Sequence, residues 1–266
     1  MSAAAPTPRV SWVDALCATA ATWAWADVLL GRAPGWPEAA LGALWLGGLV
    51  LASTTLAARG YVRAVTRGPS ARPRVALSFD DGPDPATTQA VLDTLAAHGA
   101  RATFFVLGAK VDAHPALARR IRDGGCELGV HGYEHSWRAW ATPGRARASL
   151  ERAQASLERA AGVRPRLVRP PYGISTPALR SAVRATAVTV VGWSIRTFDS
   201  LGRGDPLERA RAVVARARPG DIVLLHDAPR TAGGRPPLGP AMLEALLTGL
   251  AAKGLTAVSV SELWGR

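Results

Sequence analysis

Lysine is nearly missing from this sequence. Of 32 basic residues only Lys110 and Lys253 are lysines, so the formal charge of +12 and the pI near 11.2 rest on arginine. The arginines run along the whole chain. No basic helix interleaved with aromatics occurs, and neither zinc-finger nor helix-turn-helix spacing is present, which argues against a nucleic-acid partner. A basic surface of this kind favours anionic lipid headgroups or acidic glycans by plain electrostatics. Cysteine is as scarce. Cys17 and Cys126 lie in unlike segments and form no CxxC pair, so a disulfide scaffold is not expected. Short-period repeats are absent.

What is present begins with a contrast. Residues 39–58 (AALGALWLGGLVLASTTLAA) carry no charge, a length that crosses a ~30 Å hydrocarbon layer as a helix. Trp12, Trp23, Trp25, Trp36 and Trp45 fall in the same region, as expected near membrane interfaces. An earlier apolar stretch, 10–30, is interrupted by Asp14 and Asp27 near its ends. A mid-membrane carboxylate costs roughly 3 kcal/mol, less where water is reachable. That stretch reads as the first helix of a hairpin. A signal peptide cleaved near Ala24-Trp25-Ala26 and a buried helical subdomain are the other readings. Arg59, Arg63, Arg67, Arg72 and Arg74, with Gly68, Pro69 and Pro73 between them, then read as a basic linker. The expected division is a membrane segment of one or two transmembrane helices over 1–60, a basic linker over 61–74 and a catalytic domain over 75–266. An integral membrane location follows. The positive-inside tendency puts the domain on the cytoplasmic face, whereas cell-wall-modifying proteins would need the other.

From residue 75 short β-rich runs alternate with helical stretches. Strands are expected over 75–79, 103–107, 127–130, 167–169, 189–193, 222–226 and 256–260. Helices are expected over 86–98, 115–123, 145–161, 176–185, 207–218 and 241–253. Such alternation predicts an α/β fold with a parallel sheet, open or closed into a barrel.

The unusual polar residues sit where those strands end, which is where α/β barrels gather catalytic groups. The first strand runs into Asp80-Asp81-Gly82-Pro83. Adjacent carboxylates repel, and burial opposes both charges, so they call for a cation or an arginine. Asp-Gly-Pro is also ordinary turn chemistry. The third strand runs into His131-Gly132-Tyr133-Glu134-His135, whose histidines at i and i+4 would meet on one side of a helical turn, within reach of one metal ion. The spacing is not the H-E-x-x-H of a metalloprotease. The fourth strand ends in Arg169-Pro170-Pro171-Tyr172-Gly173, a rigid loop with exposed backbone N–H groups. The aliphatic run 222–225 delivers His226 and Asp227 to the same rim, and a histidine there needs a polar partner or a task.

Taken in order, SFDDGP, HGYEH, RPPYG, WSIRTFD and LLHD resemble the motifs of the polysaccharide deacetylase family, also called carbohydrate esterase family 4 or the NodB homology domain. The resemblance covers about 75–264. It implies a distorted (β/α) barrel of about seven parallel strands and a hydrolase that removes an N-acyl, usually N-acetyl, group from an amino sugar. By resemblance Asp81, His131 and His135 bind a divalent metal, usually Zn²⁺, with Co²⁺ or Ni²⁺ also suited to the donor set. Asp80 is then the base that takes a proton from water, His226 the acid that protonates the leaving amine, and Asp199 the partner that tunes His226. Arg169 pairs with Asp80, the backbone N–H of Tyr172 stabilises the oxyanion, and Leu224 lines the acyl pocket.

Three positions depart from the family pattern. Gly132 stands where Ser or Thr is usual, Ser200 replaces a Trp, and Arg196 occupies a position that is often acidic. Trp193 is a candidate for the missing aromatic wall. These changes bear on substrate identity, which divides between a glycan and a lipid-linked amino sugar at a membrane surface. A non-catalytic glycan-binding membrane protein is the third reading, but binding alone would need neither Asp80 nor His226.

Overall fold

The computed structural model describes residues 60–229 and 239–265, the helix Trp36–Thr54 and isolated positions elsewhere. Its strands are β1 (Arg74–Asp80), β2 (Thr103–Val106), β3 (Glu127–Val130), β4 (Leu167–Val168), β5 (Thr189–Val190), β6 (Ile195–Arg196), β7 (Ile222–His226) and β8 (Thr256–Val258). Every pairing between them is parallel, in the order β5-β4-β3-β2-β1-β7-β6. β8 takes Arg74–Ala76 of β1, while β2 takes Ser78–Asp80. The parallel α/β expectation therefore stands, with eight strands among the described residues. β6 was missed because two residues carry no readable alternation.

The sheet curls because the chain leaves it no choice. β5 and β6 occupy opposite edges of the order, yet only residues 191–194 join them, a link that spans at most roughly 17 Å. The seam is filled by the segment expected to be a basic linker. Val65 N–H donates to Val190 O, and Gly192 N–H donates to Val65 O, each at 2.8 Å. Val62 and Ala64 are buried, and Arg67 reaches the buried Asp221 at 2.7 Å. Residues 62–68 thus belong to the barrel. The 61–74 stretch has the Arg, Gly and Pro content of a linker, but Val62 and Ala64 alternate with an exposed Arg63 and find a core.

Strand alternation sorts the core into two layers. Val75, Leu77, Phe79, Phe104, Val106, Val223 and Leu225 pack in the cluster shared with the helices. Ala76, Phe105, Leu167, Val191 and Ile222 form a second cluster inside the barrel. Each fully buried Phe or Leu contributes about 1.5–3 kcal/mol. The inward row of β1 continues through Ser78 to Asp80, and that of β7 through Leu224 to His226. Packing thereby aims the reactive groups.

Helices cross between the strands: α2 (Thr88–Ala97), α3 (Gly108–Ala113), α4 (Pro115–Asp123), α5 (Pro143–Ala161), α6 (Pro177–Thr186), α7 (Pro206–Arg216), α8 (Gly239–Ala252) and α9 (Val260–Leu263), with α1 the N-terminal helix Trp36–Thr54. Three of them start on a capping residue followed by proline: Thr142, Thr176 and Asp205 each accept from a backbone N–H of the first turn. The hairpin expected over 10–30 lies largely outside the described residues. α1 overlaps the run expected to span a membrane, but among the described residues no helix is long and apolar enough to do so. It opens on Trp36-Pro37-Glu38 and contains Gly42, Gly47, Gly48, Ser53 and Thr54, which dilute its apolar character.

Candidate active site

Asp80 and Asp81 are adjacent, and in a regular strand their side chains would face opposite ways. Asp81 adopts φ 76°, a left-handed conformation that ends the alternation and lets both carboxylates face the mouth. Asp tolerates this region better than most residues, at a cost of about 1 kcal/mol. Gly82 then passes Asp227 so closely that a Cβ there would lie 2.2 Å from the Asp227 carboxylate. Only glycine fits.

Asp81 Oδ1 lies 3.3 Å from His131 Nε2 and 3.3 Å from His135 Nε2. Two ligand atoms about 2.1 Å from one ion are separated by roughly 3–4 Å, so the spacing suits a shared cation. All three donor atoms fall within 4.8 Å of one another. Neither Asp81 oxygen has a hydrogen-bond partner, although the residue is only 1% exposed. Burial pushes its carboxyl up, but the adjacent His131 and then His135 imidazoles outweigh that and hold it well below the usual range. His131 Nδ1 donates to Arg169 O at 2.7 Å, which leaves Nε2 as the lone-pair donor facing Asp81. The residues present fit a divalent metal.

The two histidines do not share a helical turn, as their spacing suggested. Residues 133–135 form a bend after β3, with Gly132 at φ 97°. The ring centroids end 5.5 Å apart. Next to Gly132, Ser149 Oγ of α5 accepts from Tyr133 N–H at 3.0 Å.

Beside the Asp81–His131–His135 set stand two hydrogen-bonded ion pairs. Arg169 is fully buried; its Nη1 donates to Asp80 Oδ1 at 2.8 Å and its Nη2 to Gly192 O at 2.8 Å. Its guanidinium lies 4.3 Å from the Phe105 ring centroid and 5.6 Å from that of Trp193. Burial depresses the Arg169 pKa, and Asp80 opposes that fall. On the other side His226 Nδ1 donates to Asp199 Oδ1 at 2.8 Å, and His226 N–H donates to Asp199 Oδ2 at 2.8 Å. Burial works against the imidazolium, but the Asp199 hydrogen bond and charge, then Asp80 and Asp81, raise His226 above its ordinary value. Nε2 is left for the substrate side.

Asp80, Asp81, His131, His135, Tyr172, Trp193, Leu224 and His226 line one cleft, with Gly173 and Arg196. Arg169 and Asp199 lie beneath it. The residues given a role by the resemblance lie in this cleft or directly beneath it. Trp193 lines the cleft and packs so tightly on Gly173 that a Cβ there would lie 2.5 Å from the indole. Tyr172, at φ 62°, sets its ring edge-on to His135 at 4.3 Å between centroids. The sequence reading gave no role to Asp227. Burial pushes its carboxyl up to about 7, against the hydrogen bond from Thr88 Oγ1 at 2.6 Å. A second polar residue directly after His226 at the end of an aliphatic strand is the signal.

A buried carboxylate with two imidazoles at ligand spacing thus sits between a carboxylate paired with Arg169 and an imidazole paired with Asp199. Residues 67–191 match the polysaccharide deacetylase family model. A peptidoglycan-N-acetylglucosamine deacetylase of Listeria monocytogenes is 33% identical over 192 residues, covering 72% of this chain. The chain spans only 39% of that relative's length. A chitooligosaccharide deacetylase of Sinorhizobium fredii is 36% identical over 169 residues, covering 63% of this chain and 78% of the relative. A family 4 acetyl xylan esterase from Clostridium thermocellum, solved with a cobalt ion, superposes with a TM-score of 0.65 at 34% identity, covering 71% of this chain and 89% of the esterase. The chain belongs to the polysaccharide deacetylase family.

Proposed function

We propose that this protein is a metal-dependent hydrolase that removes an N-acetyl group from an amino sugar of a glycan. The observation that carries the reading is the Asp81–His131–His135 donor set, whose buried carboxylate has no hydrogen-bond partner, placed between Asp80 and His226. Zn²⁺, Co²⁺ or Ni²⁺ held there would supply Lewis acidity toward the acyl oxygen and acidify water. Asp80 takes the proton from the attacking water; Arg169 balances its charge and fixes its direction. The Tyr172 backbone N–H faces the developing oxyanion. His226, kept protonated by Asp199, gives its proton to the nitrogen as the C–N bond breaks. Leu224 and Trp193 bound the pocket for the acyl methyl. The deacetylase names of the relatives support N-acyl chemistry, and the esterase neighbour makes acyl oxygen esters the contrasting substrate.

The direct test is acetate release from N-acetylglucosamine oligomers by the metal-loaded protein. Release that disappears with a chelator and returns on adding zinc or cobalt is expected. Turnover unaffected by metal removal would overturn the reading.

A lipid-linked amino sugar at a membrane surface is the second substrate reading. It is favoured by α1, where Leu44, Leu46, Val50 and Leu51 are exposed. Membrane attachment through this region, with the domain on the cytoplasmic face, goes with it. Co-flotation with anionic vesicles and a topology reporter fused after Arg266 test the two parts separately.

A further inference from the structure

One charge in the cleft wall has no part in the acyl transfer. Arg196 ends β6, pairs in register with Leu224 of β7 and lines the cleft beside His226. Its neighbours in charge are matched: Asp80 by Arg169, His226 by Asp199. Arg196 is exposed, and among the described residues no carboxylate pairs with it. An acetamide is neutral, so the scissile group gives this cation nothing to do.

The guanidinium is also held in place. Its Cζ stands 4.9 Å from the ring centroid of Phe198, which is 48% exposed and adopts φ 58°. A left-handed phenylalanine is costly, and the surroundings enforce it. Thr197 between the two is buried; its Oγ1 lies 2.7 Å from both Leu224 O and Asp199 Oδ1, and its carbonyl accepts from Arg209 Nη1 at 3.0 Å. The ring is therefore turned outward beneath the arginine instead of into the core. A guanidinium stacked in this way keeps its edge N–H donors for a bidentate acceptor.

The geometry points to Arg196, seated on Phe198, as a specificity-determining residue that receives an anionic oxygen group, a carboxylate or phosphate ester, carried by the reacting sugar or its neighbour. The protein thus prefers charged N-acyl amino sugar glycans over neutral ones. The inference rests on the hydrolase reading and adds the substrate's charge to it.

The test uses the full chain loaded with zinc. Acetate release is compared between N-acetylglucosamine oligomers bearing a carboxylate on the neighbouring sugar, the methyl esters of the same oligomers, and N-acetylglucosamine with and without a phosphate ester. The carboxylate and phosphate arms separate the two sources of the anion. Wild type should favour a charged form about tenfold in kcat/KM, through KM, with the preference shrinking as salt rises. Arg196→Gln should erase the ratio, Arg196→Glu should invert it, and Arg196→Lys should keep part of it. Equal rates on charged and neutral forms by wild type, or an unchanged preference in Arg196→Gln, overturn the inference while the hydrolase reading stands. No release from any of these substrates removes both.

Discussion

Asp80 and Asp81 are neighbours in sequence and nearly equal in burial, at 4% and 1% exposed, yet their surroundings differ completely. Asp80 accepts from Arg169. Asp81 accepts from nothing. The Asp80–Arg169 and His226–Asp199 pairs are complete in protein alone, whereas the Asp81–His131–His135 set leaves its carboxylate without a hydrogen bond. Burying an unpaired carboxylate is costly, so the missing partner is itself information about what the site holds. On the proposed reading, the paired groups are the ones to be aimed and the open carboxylate is the metal ligand.

The comparison breaks most visibly at the donors. Asp81→Ala or His131→Ala should abolish stoichiometric zinc in metal analysis and lower kcat by about three orders of magnitude; normal metal content in either variant would contradict the assignment. Asp80→Asn should keep the metal but lose roughly 10²–10⁴ in kcat, which separates the two groupings in one pair of measurements. If the zinc left with Asp80 as well, the groupings would not be distinct.

A subtler change belongs to Asp199→Asn. As the proposed acid, His226 acts while protonated, and the rate should then fall as pH rises through its pKa. Asp199 raises that pKa, and removing its charge lowers it. The alkaline limb of the kcat profile should therefore move to lower pH, with metal content intact; an unmoved limb would mean another acid. The smallest effect is expected from Gly82→Ala. Its Cβ would lie 2.2 Å from Asp227, forcing the Asp81 turn to shift. A loss of about 1–3 kcal/mol is expected, read as a Tm lower by several degrees and weaker zinc binding without change in the pH profile.

Much of this is legible in the sequence. β1, β3 and β7 were visible as short apolar runs, and the polar residues at their ends stood out because strands seldom finish on Asp-Asp or His-Asp without reason. β6 and the role of residues 62–68 were not legible. A two-residue strand has no period, and a Gly/Pro-punctuated arginine stretch has a linker's composition even when Val62 and Ala64 bury against the barrel. The histidine pair was found by its spacing, but through the wrong geometry, since a bend gives i and i+4 the same proximity as a helical turn. Asp227 went unassigned because its meaning depends on Gly82, far away in the chain.

By itself the sequence determined the strand–helix alternation and the identity of the reactive side chains, because periodicity and residue chemistry are local properties. Only the tertiary structure decided that the sheet curls, that Asp81 turns toward Asp80's side, and that Arg196 faces the cleft with no countercharge. Those outcomes depend on which distant segments pack together, and a linear chain does not carry that information residue by residue.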